Sequence, residues 1–220
     1  MIEKDPVGRL LTEPLCDNWG MSRGSPVDRY YIDAFLSCHS KDIRGHVLEI
    51  GDDGYTRRFG GAAVNRIDVL DIDAHNIAAT IIADLSDAAH VPSDTFDCIV
   101  LTQVLAYISD LRAAVETLIR ITKSGGVILS TQPAISRVSP VPGEQDHWCW
   151  SIYPNSARWL FSRPEIDQRS LLVEAYGNLR TATAFLWGLA QEDLAETDFL
   201  RQDSGYPVIT AVRAVKQMAT

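Results

Sequence analysis

The sequence predicts an α/β fold, a doubly wound parallel sheet with helices on both faces, on three observations. From Gly45 onward, short, branched, nearly all-apolar runs alternate with helical segments. The first run, Val47-Leu48-Glu49-Ile50, opens into the turn Gly51-Asp52-Asp53-Gly54-Tyr55. A second run ends in acid at Asp71-Ile72-Asp73, twenty residues beyond Gly51. Strands buried on both faces lose polar alternation, which is the mark of a parallel sheet covered by helices. A strand opening into a glycine turn, beside a second strand ending in a carboxylate, makes the half-site that such folds use for a nucleoside.

The elements run in order along the chain. Residues 1–45 are polar and punctuated by Pro6, Pro14, Gly20, Gly24 and Pro26. Within them a helix is predicted from Pro26 to Ser40, because Tyr30, Tyr31, Ala34, Phe35 and Cys38 recur at helical spacing. Pro26 suits its first turn, with Ser25 as cap. His46–Ile50 is strand one, Arg66–Leu70 strand two, Thr80–Ala83 a short strand three and Asp97–Thr102 strand four. Asp110 caps the clearest helix, whose apolar face is Leu111, Ala114, Val115, Leu118 and Ile121. Lys123-Ser124-Gly125-Gly126 reads as its terminator, leading into strand five at Val127–Thr131. The long segment Gln132–Pro154 breaks the rhythm and carries the aromatic knot His147-Trp148-Cys149-Trp150 with Tyr153. A loop of that length in a compact domain is usually functional. Asn155–Phe161 and Thr181–Leu189 read as helices. Leu171–Tyr176 and Pro207–Val215 read as strands, the latter near a sheet edge.

Composition narrows the function. With 220 residues, 46% hydrophobic and 22% charged, the chain fits one globular domain. A net charge of −9 argues against a nucleic-acid partner, since phosphate binding needs a basic face. No run approaches the ~18 continuous apolar residues of a membrane span. Met1 to Pro14 lacks an apolar signal core, and Cys16, Cys38, Cys98 and Cys149 are scattered, so a reduced, cytoplasmic setting is expected. No His, Asp or Glu cluster has metal-ligand spacing, and no metal is expected.

The order of these motifs resembles the class I S-adenosylmethionine-dependent methyltransferases. Val47–Gly51 is similar to that family's first-strand motif and Asp71-Ile72-Asp73 to its acidic second-strand end. Ala83-Asp84-Leu85 is similar to its adenine-side motif, and Thr95–Leu101 with Leu105–Ile108 to its fourth strand and the start of the next helix. Lys123–Leu129 is similar to the glycine turn into strand five. The ordered match spans roughly residues 45–132. Asp17-Asn18-Trp19-Gly20 and Asp28-Arg29-Tyr30-Tyr31 also resemble bacterial methyltransferases associated with glycosyltransferase and with cell-surface or natural-product sugar genes. The resemblance implies a Rossmann-like sheet of about seven strands with an antiparallel last strand, residues 46–220 forming the methyltransferase-like domain and 1–45 an N-terminal helical lid. It implies S-adenosylmethionine as cofactor, with Glu49 and Gly51 near its methionine part. Asp71 would accept from the ribose hydroxyls, with Asp73 its competitor. Asp84 would take the adenine amino group or else cap the following turn, while Ile72 and Leu85 pack on the ring. Gln103 would flank the sulfonium, and Arg29 with Tyr30 or Tyr31 would close over the cofactor carboxylate or simply pack on the sheet.

The chain departs from the family's Gly-x-Gly-x-Gly turn by placing Asp53 and Tyr55 at its second and third glycine positions. Asp53 either binds the cofactor's ammonium, sits in a shifted turn, or weakens binding. The expected reaction is methyl transfer to a hydroxyl of a small molecule, a sugar or glycosylated natural product. His147, in the loop after strand five, is the candidate base, with Asp146 to orient or replace it. Trp148, Trp150 and Tyr153 offer either a stacking wall or a small core under the loop. The alternatives are a catalytically inactive scaffold, motivated by the eroded turn, and a nicotinamide-dependent reductase, disfavoured because that fingerprint needs Gly-x-Gly-x-x-Gly after strand one.

Overall fold

The structure is a computed structural model that describes residues 12–141 and 147–218. Thirteen helices and strands organise it: α1 (Val27–Cys38), β1 (Gly45–Ile50), α2 (Gly54–Gly60), β2 (Val64–Asp71), β3 (Ile81–Ile82), β4 (Phe96–Thr102) and α3 (Leu111–Ile121), followed by β5 (Thr122–Pro133), α4 (Pro154–Phe161), β6 (Leu172–Tyr176), α5 (Leu179–Leu186), α6 (Glu196–Leu200) and β7 (Ile209–Val215) among the described residues. The seven strands form one sheet in the order β3-β2-β1-β4-β5-β7-β6. β1 pairs parallel with β2 and β4, β2 with β3, and β4 with β5. β7 runs antiparallel to both β5 and β6, so the expected antiparallel last strand lies one place in from the edge.

Neighbouring residues of a strand face opposite layers, and the sheet separates two cores accordingly. Leu48, Ile99, Leu101 and Ile128 pack with Phe161 of α4 and Leu118 of α3 on one face. Val47, Cys98, Val100 and Leu129 pack with Phe35 of α1 and Phe185 of α5 on the other. α1 is thus built into the core, with Tyr31 donating from its hydroxyl to Thr181 Oγ1 at 3.0 Å and Tyr30 stacked on Phe199. Among the described residues, no helix is long and apolar enough to cross a membrane.

The start of α1 and the junction of α3 with β5 differ from expectation. Pro26, not Ser25, holds the cap position of α1, and no side chain caps it; Ser25 Oγ instead accepts from Gln191 Nε2 at 3.2 Å. α3 is capped as expected, Asp110 accepting from Ala113 N at 3.0 Å, a contact worth about 1 kcal/mol. The helix stops at Ile121, and Lys123–Gly126 falls inside β5. Phe96 pairs with Thr122 while Cys98 already pairs with Val127, so those four residues bulge from the ladder. Gly126 permits the bulge: a Cβ there would lie 2.9 Å from Lys123 O and 3.1 Å from Asp97 O.

The chain steps outward from β1 to β2 and β3, then crosses back to β4 on the other side of β1. The strand order reverses there, and the carboxyl ends of β1 and β4 part to leave a crevice, the usual ligand position in open α/β sheets.

Candidate active site

The crevice begins at Gly51, which directly follows β1. Its φ is +89°, and a Cβ built on it would meet nothing within 4 Å. The left-handed backbone favours glycine, and the missing side chain leaves the main chain open to a ligand. Beneath the turn, the buried Glu49 carboxylate accepts from Thr56 N at 2.7 Å and Tyr55 N at 3.1 Å. It thereby satisfies two of the unpaired N–H groups that open α2. Burial pushes the Glu49 carboxyl up, against the pull of those donors. Asp52 Oδ1 accepts from Gly54 N at 2.8 Å, and Asp53 turns its carboxylate to Arg57, 2.7 Å from Nε.

The end of β2 stands opposite. Asp71 Oδ1 accepts from Asp73 N at 2.9 Å, and Oδ2 accepts from Asn76 Nδ2 at 2.6 Å. The same Asn76 amide donates to Gly51 O at 2.6 Å, tying the glycine turn to the β2 carboxylate. A carboxylate has roughly four lone-pair sites, so Asp71 retains accepting capacity. Ile72 projects its side chain at 69% exposure, while Leu85 is buried. Asp84 Oδ1 accepts from Ser86 N at 2.8 Å and Ser86 Oγ at 2.7 Å, closing its own turn.

Gly51, Asp71, Ile72, Asp84, Leu85, Gln103 and His147 all line one cavity of about 560 Å³, together with Val104, Tyr107 and Ile108. A smaller cleft of about 90 Å³ shares Gln103 and Tyr107 with it and adds Trp19, Asp28, Arg29 and Trp148. Arg29 also lines a third concavity, with Ile50, Asp52, Tyr55 and Arg58. Gln103 is the hinge between the first two. Its φ of +60° is unusual for a residue with a side chain, and its N–H donates to Thr131 O at 2.7 Å. The loop after β5 closes the mouth: Cys149 N donates to Ala106 O at 2.7 Å and Trp150 Nε1 to Ile108 O at 2.9 Å, while Trp148 meets Tyr107 edge to face.

The cavity therefore gathers seven of the residues expected from the sequence. Glu49 lies under the turn rather than on the cavity wall, Asp53 lines none of these clefts, and Asp146 lies outside the described residues. The aromatic knot divides: Trp148 faces the small cleft, and Trp150 faces a separate outer groove beside Trp159. Tyr30 and Tyr31 belong to the core, leaving Arg29 alone to reach the clefts. Sequence reasoning gave no role to Asn76, nor one of its own to Asp28. Asn76 carried no signal, since an asparagine five residues past a strand reads as an ordinary turn. The described residues hold no group of three His, Cys, Asp or Glu able to bind a metal. A larger cavity of about 690 Å³ lies between α5 and α6, away from the carboxyl ends of β1, β2 and β4. It lacks the glycine turn and the strand-end carboxylates, and for that reason the switch-point cavity is the candidate site.

Its residue types fit a nucleoside carrying a charged tail: open backbone at Gly51, a strand-end carboxylate at Asp71, and an exposed apolar wall at Ile72. Comparisons with known proteins agree. None of the curated proteins compared with the chain matches it. Among solved structures, an S-adenosylmethionine-dependent methyltransferase from Mesorhizobium loti superposes with a TM-score of 0.59 at 16% identity, over 86% of this chain and 100% of that one. One from Archaeoglobus fulgidus gives 0.52 at 13%, over 86% and 90%. The N-methyltransferase NodS from Bradyrhizobium japonicum, in complex with S-adenosyl-L-homocysteine, gives 0.54 at 14%, over 92% and 93%. These likenesses carry the fold. The family model described as "Methyltransferase domain" matches residues 27–176, more than half of the sequence. With that match the chain belongs to the methyltransferase domain family, among the class I enzymes that use S-adenosylmethionine.

Proposed function

We propose that this methyltransferase acts on a hydroxyl of a small molecule, with a sugar or glycosylated natural product as the acceptor class. The observation that carries this reading is the junction of the two clefts at Gln103 and Tyr107. One cleft is large enough for a nucleoside. The other, at about 90 Å³, admits only a small group. Trp148, Trp19 and Tyr107 give the small cleft flat apolar walls suited to a ring.

When bound, S-adenosylmethionine supplies a methyl group on a sulfonium, an electrophile that leaves behind a neutral thioether. The chain's own part is to hold and orient. Asp71 accepts from the ribose hydroxyls, Asp84 from the adenine amino group, and Ile72 and Leu85 pack on the ring. Gly51 lets the tail approach the main chain, Glu49 fixes that turn from below, and Arg29 faces the tail's carboxylate. His147 closes the rim on the cofactor side. Asp53 is occupied by Arg57 and clear of the cavity, which supports an active site over an inactive scaffold. Most of the rate then comes from placing acceptor and methyl group together.

Incubating the protein with methyl-labelled S-adenosylmethionine and a panel of monosaccharides, glycosides, phenols and primary amines tests this reading. Label recovered as an ether on a hydroxyl compound is expected. Label recovered only on the amines would contradict it.

A further inference from the structure

Two residues lining the small cleft each carry a buried polar atom that the fold leaves unsatisfied. Asp28 is 8% exposed, yet its Oδ1 has no hydrogen-bond partner, and neither does the buried Gln103 Oε1. On its Oδ2 side Asp28 meets Gln103 Nε2 at 3.4 Å and Arg29 Nη1 at 3.5 Å. The first of those contacts fixes the amide: turning Gln103 over would set its oxygen against the carboxylate. Both orphans are therefore acceptors, and the residues that carry them, Asp28 and Gln103, both line the cleft that meets the cofactor cavity. A buried acceptor without a donor costs free energy, so a site with two of them is built for a ligand that brings O–H or N–H groups.

We infer that Asp28 faces the transferred methyl group from the acceptor side, binds the acceptor's hydroxyl through Oδ1 and takes its proton. This rests on the cofactor reading above and deepens it. In the step, the acceptor oxygen gains the methyl group, the sulfur keeps the electron pair of the broken C–S bond, and the hydroxyl proton passes to Asp28 Oδ1. Gln103 holds Asp28 Oδ2 and offers Oε1 to a second donor on the acceptor. Burial pushes the Asp28 carboxyl up, with Arg29 pulling it back, which makes it a stronger base than an exposed aspartate. His147 lines the cofactor cavity and not this cleft, so it does not serve the same proton.

No acceptor needs to be known to test this. Sinefungin is the cofactor analogue that carries a carbon-bound ammonium where S-adenosylmethionine carries its methylated sulfur. S-adenosylhomocysteine has nothing at that position. An ammonium presented to a carboxylate with one oxygen unpartnered forms a charge-assisted hydrogen bond. Calorimetry is therefore expected to find sinefungin preferred over S-adenosylhomocysteine in the parent protein. In Asp28→Asn that preference falls by about tenfold or more, while S-adenosylhomocysteine affinity moves less than about threefold. As a second measurement on the parent protein, the preference weakens as falling pH protonates Asp28. The groups facing it are Arg29 on its own helix, Tyr55 on α2, and Gln103 and Tyr107 beyond β4. An unchanged preference in a variant that still binds S-adenosylhomocysteine overturns the role of Asp28 and leaves the cofactor site standing. Failure of the folded parent protein to bind S-adenosylhomocysteine overturns the cofactor reading, and the inference with it.

Discussion

At Asp28 the molecule keeps a carboxylate oxygen out of water without a donor, beside an arginine that only grazes its other oxygen. A group in that position opposes folding when charged. Its carboxyl is raised in the folded state, so between the ordinary aspartate range and the raised value the native protein binds more protons than the unfolded chain. Stability therefore falls as pH rises through that window. Asp28→Asn removes the buried charge and is expected to stabilise the protein by about 1 kcal/mol at neutral pH, roughly 2–4 °C in melting temperature for each kcal/mol. The gap should close below about pH 4, where the aspartate is protonated in both states. A lower melting temperature for the variant at neutral pH would contradict this. A residue that costs stability and sits on a ligand cleft is the pattern expected of function.

Among the elements, α2 follows the glycine turn of the site, and a side chain of β1 holds its first turn. Glu49 reaches from β1 to the N–H groups of Tyr55 and Thr56. Glu49→Ala leaves both donors without their acceptor. It should cost about 1–3 kcal/mol in denaturant unfolding and weaken S-adenosylhomocysteine binding by loosening the turn. An unchanged unfolding midpoint would refute that. The elements were mostly legible in the sequence because parallel strands buried on both faces read as apolar runs, as at Val47–Ile50 and Cys98–Leu101. The start of β5 was not, since Gly125-Gly126 serves a strand bulge as readily as a helix stop. Nor was the direction of the aromatic knot. Residues two apart in an extended segment share a side unless the backbone turns, and docking on Ala106 O and Ile108 O sends Trp148 and Trp150 to different clefts. In the site itself, strand-end residues such as Gly51, Asp71 and Gln103 were readable from their place in the ordered series. Asn76 and the place of Asp28 on the small cleft depend on contacts between distant segments, which one sequence does not display.

For the molecule as a whole, the topology gathers the site. The reversal of strand order between β1 and β4 opens one crevice, α1 brings Asp28 and Arg29 to it from one side, and the loop after β5 brings His147 and Trp148 from the other. Three segments distant in sequence thus meet where the larger and the smaller cleft join. We place the cofactor in the first of these clefts, held through Asp71. Calorimetric titration of the full chain with S-adenosylhomocysteine, beside a folded Asp71→Ala variant, tests it most directly. Micromolar binding, about −8 kcal/mol, is expected, weakened by about tenfold or more in the variant. No heat from the folded parent protein, or equal affinity in the two proteins, would contradict it.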